Sequence, residues 1–567
     1  MLLSLRRPFL LTLLLLATCT LCIAERRERL IENWRPVHYE VSLSFNENLS
    51  EISSARAELT VLVLKETVAA LDLDFGEMPV DSVSVDNQPA RYEQRAGKLL
   101  ITLSQPARKD ARLRVAIAYH GQPKDGLILG KDKDGKPSAT GDNWPDRVHH
   151  WIPCLDHPSA KATVRFTVTA PARYLVVANG RLEQEVSNSA GTRTWIWNEG
   201  VPISPYCMII AAGDFARLEP KAQTVTPLSY YVPQSDRKFA MQGFAPAIPS
   251  LKYFTETIGP YPYEKLAMIV GATRFGGMEN SSAIVFTSTL FDNFRTAEPR
   301  SRRYEIPARV RNVVAHEVAH QWFGDSVTES TWADLWLSEG FATYFEALFV
   351  EQFEGKLAFR AEMKISADKY LAYAKERRTP IHDRETEDLN KLLNANNYEK
   401  GAWVLHMLRG VLGDKAFFAG ISNYYKQHRD QTAATEDLRA ALEKSSGLNL
   451  KDFFTRWIYQ SGHPRYEVTW KWRTSGRGDR TNQRYVELKI RQLQEDEPFL
   501  MPLTVELVTA NGARRVTVTP TGKDFVTRIP VMQQPNALKI DPDDFVLKEL
   551  SIKQEVETVW ERLCNVN

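Results

Sequence analysis

The chain has 567 residues, with 72 Lys and Arg against 70 Asp and Glu, a formal net charge of +2. That length exceeds what one hydrophobic core holds and points to three or four domains. The near-neutral balance, with basic residues scattered along the chain, excludes a nucleic-acid or polyanion partner as the main business of the protein.

The N-terminus reads as an export signal over residues 1–24. Arg6 and Arg7 form the positive region, an apolar run extends from Pro8 to Ala24, and Glu25-Arg26-Arg27 ends it. Cleavage after Ala24 gives an exported protein, periplasmic or secreted. Retention of the run as an N-terminal anchor, or lipid attachment at Cys19, are the alternatives. No later segment is apolar for long enough to span a membrane, so the mature chain is expected to have no span. Two of the five cysteines, Cys19 and Cys22, lie in the signal. Cys154, Cys207 and Cys564 remain, too few for a disulfide framework, with a Cys154–Cys207 bridge left open.

Residues 25–217 read as an N-terminal β domain. Tyr39, Val41, Leu43 and Phe45 alternate with polar neighbours, as do Ala57, Leu59, Val61 and Val63. Gly130 to Trp144 reads as a long loop without an assigned role. Residues 218–463 take a helical period, with Val310, Val313, Val314 and Val318 on one helix that Gly324 terminates. Further helices are predicted over Leu335–Phe353, Ala402–Leu412 and Thr435–Lys444, the last closed by Gly447. From Arg465 the period returns to two, with Asn511-Gly512 as a type I′ hairpin signal. Residues 464–567 therefore read as a β-sandwich, with a short terminal helix over Gln554–Leu563. The fold class is multidomain α+β.

The chemistry concentrates in His316-Glu317-Val318-Ala319-His320. Histidines four apart lie one helical turn from each other and reach a single zinc ion, with Glu317 beside them as general base. The apolar pattern around the motif buries the helix, and two buried imidazoles beside a carboxylate require partners. Glu339, among Trp336, Leu337, Phe341 and Phe345, is a carboxylate in apolar company and the third ligand. Two His and one Glu leave one coordination position open, the stoichiometry of a catalytic site, with one Zn2+ per chain.

At this point the chain resembles the zinc aminopeptidase family that includes aminopeptidase N and leukotriene-A hydrolase. Four segments carry the likeness: the HExxH pair with Glu339 inside Trp336-Leu337-Ser338-Glu339-Gly340; Gly276-Gly277-Met278-Glu279-Asn280; Tyr398-Glu399-Lys400-Gly401; and Pro153-Cys154-Leu155-Asp156-His157-Pro158. The resemblance implies a thermolysin-like, mostly helical catalytic domain between the two β domains, and peptide substrates with a free N-terminus. It implies that Glu279, within the segment formed by Gly276, Gly277, Met278 and Asn280, holds the substrate's α-ammonium. It implies that Tyr398 hydrogen-bonds the developing oxyanion. Gly276 and Gly277 are expected to let backbone approach the substrate.

The chain departs from the family pattern at Ser338, where Asn is usual, and at His157, where an acid is common. The Gln or Glu expected upstream of the Pro-Cys segment is not evident near Asp142 to Trp144. The large helical C-terminal domain of many relatives has no counterpart, which implies a more open site or one covered by a partner subunit; the oligomeric state is not readable. The alternative activities are a zinc endopeptidase, separable by N-terminally blocked peptides, and an epoxide hydrolase. The epoxide-hydrolysing branch carries an Asp before the motif tyrosine, where this chain has Asn390. A silent peptide-binding protein would have no need of Glu317.

Overall fold

The computed structural model describes residues 25–189, 191–292, 294, 306–474 and 484–555. The export signal with Cys19 and Cys22, and Cys564, lie outside the described residues.

The alternation at the N-terminus produces the largest sheet. The strands Trp34–Phe45 and Ile52–Val63 pair antiparallel, with Tyr39 opposite Leu59 and Val41 opposite Ala57. Period-two spacing sends these four side chains to one face, where all are fully buried. The first strand also pairs in parallel with Ala162–Pro171, so that the sheet grows on both sides to eight strands. A second sheet of the N-terminal region has four strands, in the order Leu175–Ala178, Ile210–Gly213, Pro137–Gly141 and Leu127–Lys131.

The expected loop from Gly130 to Trp144 is therefore corrected. Most of it is a hairpin, with Ser138 opposite Gly130 and Ala139 opposite Leu129. Its turn is organised by Asp132, whose Oδ1 accepts from the backbone N–H of Asp134 and of Lys136 at 2.9 Å each. Gly135 takes a φ of +76° there. Side-chain-to-backbone bonds of this kind close a turn inside a stretch too polar to read as strand.

The central region opens on a five-stranded mixed sheet ordered Phe215–Leu218, Leu228–Pro233, Leu266–Gly271, Ala283–Thr287 and Gly277–Met278. Its first strand straddles residue 217, where sequence patterning alone places the domain change. The short strand Gly277–Met278 sits at the edge, antiparallel to Phe286 and Val285. Helices follow over Ala308–His320, Trp336–Glu354, Lys356–Tyr373, Gly401–Leu412, Asp414–His428 and Thr435–Ser446. Gly447 ends the last with φ +72°, the left-handed cap that glycine adopts without penalty. None of the described helices is long and apolar enough to cross a membrane.

The C-terminal region stacks a four-stranded sheet (Asp524–Pro530, Arg484–Gln492, Arg465–Thr474, Glu549–Gln554) and a three-stranded sheet (Gly512–Val518, Leu503–Thr509, Ala537–Ile540). Two local expectations change. The hairpin at Asn511-Gly512 forms with Thr509 opposite Gly512. The loop pair is therefore Ala510 and Asn511, and Gly512, at φ +120°, lies just beyond it. Gln554 ends a strand parallel to Arg465–Thr474, so the expected terminal helix does not begin there; residues 556–563 lie outside the described residues. Cys154 and Cys207 are both buried and free. The Cys207 thiol donates to Asp325 Oδ1 at 3.4 Å.

His406, on the helix Gly401–Leu412, joins the catalytic and C-terminal regions. The Tyr344 hydroxyl lies 3.3 Å from its Nδ1, and its Nε2 lies 3.1 Å from the Asp544 carbonyl. Both bonds suit the neutral ring, with Nε2–H donating and Nδ1 accepting. Burial, aided by the Arg409 guanidinium, pushes its pKa down to about 4. A histidine depressed on folding contributes stability above its unfolded pKa of about 6.5 and loses it as pH falls to about 4. The expected loss across that window is about 3 kcal/mol. Urea unfolding at pH 7 and pH 4 checks it: His406→Gln should lose less stability than wild type by that amount. Equal losses would contradict it.

Candidate active site

The helix Ala308–His320 divides its faces by the 3.6-residue period. Val310, Val314 and Val318 pack into the core, while Arg309, Asn312, Val313, His316, Glu317 and His320 line a cavity of about 470 Å3. The helix stops at His320, four residues before the expected Gly324. Gly324 instead turns the chain back with φ +114°, where a Cβ would lie 2.3 Å from Ser338 Oγ and 3.0 Å from His320 Nδ1. This close passage brings Glu339, in the first turn of the helix Trp336–Glu354, against both histidines.

The three expected ligands converge. His316 Nε2 and His320 Nε2 are 3.1 Å apart, and Glu339 Oε2 is 3.5 Å from the first and 3.3 Å from the second. A tetrahedral ion with metal–ligand bonds of about 2.0–2.1 Å needs donor–donor edges of about 3.3–3.4 Å. The outer ring nitrogens explain the arrangement. His316 Nδ1 lies 3.3 Å from Glu346 Oε2, and His320 Nδ1 lies 3.1 Å from both the Phe323 carbonyl and Ser338 Oγ. With each Nδ1–H donated outward, the two Nε2 lone pairs point at each other and at Glu339 Oε2, which is buried without a hydrogen-bond partner among the described residues. A cation at the centre of the triangle would reconcile three acceptors at that separation, and the donor set suits zinc. Burial would raise the Glu339 pKa, but the two imidazoles hold it down at about 2.

Glu317 is buried beside this triangle. Burial pushes its carboxyl up to about 8, with His316 and His320 opposing and Glu279 adding to the rise. It rests on the edge strand: a Cβ on Gly277 would lie 2.2 Å from Glu317 Oε1. Gly277 is thus required by the carboxyl packed on it, whereas Gly276 has nothing within 4 Å of its own notional Cβ. Glu279 follows, buried, its carboxyl within 4.8 Å of the ligand atoms of Glu317 and His320. Burial raises its pKa, while the His320 imidazole opposes that shift.

Tyr398 occupies a π-helical turn, Asn396–Lys400, ahead of the helix Gly401–Leu412. Its ring stacks at 6.1 Å on His316 and its hydroxyl donates to Glu339 Oε1 at 2.6 Å. Gly276, Gly277, Met278, Glu279, His316, Glu317, His320, Glu339 and Tyr398 all line the one cavity. Asn280 is the exception. It is fully buried behind the strand and donates from Nδ2 to the Met278 carbonyl at 3.3 Å, which shapes the segment from behind.

Trp144, Phe275, Arg309, Asn312, Val313, Glu346, Lys369 and Leu393 also line the cavity and were not foreseen. Arg309, Asn312 and Val313 stand seven, four and three positions before His316, a face that helical spacing could have revealed. Trp144 arrives from the N-terminal region, edge-on to Phe275 at 5.9 Å and to Trp332 at 5.7 Å. Its neighbour Asp142 does not reach the cavity; it accepts from Thr273 Oγ1 at 2.9 Å and Arg147 Nη2 at 3.1 Å. His157 pairs with Glu28 at 3.0 Å, away from the cavity.

Residues 244–457 match the model of the peptidase family M1 domain, and residues 35–207 match that of the peptidase M1 N-terminal domain. A probable aminopeptidase 1 of Saccharolobus solfataricus is 26% identical over 75% of this chain and 53% of its own length. The glutamyl aminopeptidase of Bos taurus is 32% identical over 58% of this chain and 35% of its own. The chain thus spans between about a third and a half of these curated relatives. The crystal structure of an M1 zinc metallopeptidase from Deinococcus radiodurans superposes with a TM-score of 0.63 at 25% identity, over 75% of this chain and 94% of that one.

Proposed function

This chain belongs to peptidase family M1, and from that premise we propose that it is a zinc-dependent aminopeptidase removing the N-terminal residue of peptides. His316, His320 and Glu339 hold one zinc ion per chain. When bound, the ion supplies a Lewis acid that polarises the scissile carbonyl and lowers the pKa of water.

The chain's own residues supply the rest. Glu279 receives the substrate's α-ammonium, which is mostly charged at neutral pH, and so places the first peptide bond beside His320 and Glu317. Glu317 takes a proton from the attacking water and returns it to the leaving amine. The Tyr398 hydroxyl donates to the oxygen that gains charge, once it exchanges its contact with Glu339 for that oxygen.

The observation that carries the reading is the placement of Glu279: a buried carboxyl that lines the cavity within 4.8 Å of the base and a ligand, where it can receive a bound ammonium. An endopeptidase has no use for such an anion at the cleavage point. Glu279→Ala should lower kcat/KM for free-amine aminoacyl anilides by about 100-fold or more, the cost of losing a buried charge pair. Wild-type enzyme should leave N-acetylated peptides intact. Cleavage of blocked peptides, or undiminished anilide rates in the variant, would favour the endopeptidase. Export belongs to the same proposal, supported by Arg6, Arg7 and the apolar run to Ala24 and tested by cell fractionation.

A further inference from the structure

Gln321 follows the last residue of the helix Ala308–His320 and has no part in the chemistry above, yet its side chain is fully buried and fully engaged. Nε2 donates to the Glu279 carbonyl at 2.6 Å and to Asp325 Oδ2 at 2.7 Å. Oε1 accepts from the Ser282 backbone N–H at 2.8 Å, and the Tyr261 hydroxyl lies 3.1 Å from it. Two acceptors on one side and a backbone N–H on the other fix which end of the amide is which.

The carboxamide therefore spans the turn from Glu279 to Ser282, joining the carbonyl at its start to the N–H at its end. That turn carries strain, because Ser282 takes a φ of +62°, the left-handed region that a residue with a Cβ enters at a cost. Within the turn the Asn280 carbonyl accepts from the Ala283 N–H at 2.9 Å. Other bonds tie it to the N-terminal region and the sheet. Asn179 Nδ2 donates to the Ser281 carbonyl at 2.6 Å, the Gly180 N–H to Ser282 Oγ at 2.7 Å, and Lys265 Nζ to the Ser282 carbonyl at 2.7 Å. Among the described residues, hydrogen bonds between the backbone of this turn and residues 308–321 come from Gln321 alone.

We propose that Gln321 is a positioning residue for recognition of the free amine, an inference that rests on the reading of Glu279 as its holder. Gln321 locks the carbonyl of Glu279 to the residue beside His320 and so aims the Glu279 carboxyl at the place where the ammonium must sit. Removing the carboxamide leaves the Ser282 N–H and the Glu279 carbonyl buried and unpaired, and the turn relaxes away from the cavity.

The test uses the full-length protein loaded with zinc and reads binding, not turnover. Calorimetry gives Kd for leucine hydroxamate and for 4-methylpentanoyl hydroxamate, which differ only in the amine. Both engage the metal through the same group, so the ratio of the two constants isolates the ammonium. Wild type should favour the amine by about 30-fold or more, the worth of a buried charge pair. Glu279→Ala should lose that gain. Gln321→Met, close in shape but without the carboxamide, should lose at least about tenfold of it, while zinc content and affinity for the compound without the amine stay at wild-type values. An undiminished ratio in Gln321→Met, including one in which both compounds weaken equally, overturns the proposal and leaves the role of Glu279 standing. A wild type that gains nothing from the amine, or a Glu279→Ala variant that keeps the gain, overturns that role and the proposal with it. Should Gln321→Met fail to fold, Gln321→Asn decides: its amide stands one methylene short of the turn, the same loss is expected, and an undiminished ratio overturns the proposal.

Discussion

Glu317→Gln is expected to retain metal at the wild-type level and to lower kcat by about 100- to 10,000-fold, the range over which a positioned general base acts. The substitution is nearly isosteric, so the side chain still packs on Gly277, where a Cβ would come within 2.2 Å of it. What disappears is the acceptor: an amide cannot take the proton that a carboxylate takes. Because His316, His320 and Glu339 keep their own contacts, metal analysis should give the same stoichiometry for both proteins. KM should change little, since the proposed holder of the substrate amine is Glu279 and not Glu317. A variant within tenfold of wild-type kcat would remove Glu317 from proton transfer.

Tyr398→Phe should lower kcat by about 100- to 1000-fold, or about 3–4 kcal/mol of transition-state stabilisation, the usual effect of deleting one oxyanion donor. The hydroxyl donates to Glu339 Oε1 at 2.6 Å, so a second outcome has to be separated. If its main service is to hold Glu339 in place, the variant should lose zinc along with activity. If it serves the developing oxyanion, zinc content and KM stay near wild type while kcat falls. Metal analysis and steady-state kinetics on one preparation distinguish the two, and an unchanged kcat would exclude both roles.

Local spacing made the candidate metal site legible. His316 and His320 are bound to share a helical face, and a carboxylate among Trp336, Leu337 and Phe341 has few destinations other than a partner cation. The same logic placed the buried alternation of Tyr39, Val41, Leu59 and Val61. It failed where contacts cross regions. Trp144 reaches the cavity because a hairpin in the N-terminal region carries the following chain there, and the turn bonds of Asp132 that make the hairpin do not show as apolar periodicity. Phe275 and Leu393, by contrast, adjoin segments already singled out, directly before Gly276 and five positions before Tyr398. Within Gly276–Asn280 one segment sends Glu279 into the cavity and Asn280 behind it, a division fixed by strand pairing with Ala283–Thr287.

The contact between Gly277 and Glu317 has a consequence for how chain ends are told from chain interiors. The strand that leads to Glu279 and the helix that bears Glu317 touch directly, backbone against carboxyl, with no side chain between them to act as a cushion. If Glu279 anchors the amine and Glu317 is the base, as proposed, this contact sets the span between them, and a peptide would be sorted by the distance from its charged end to the bond under attack as much as by charge.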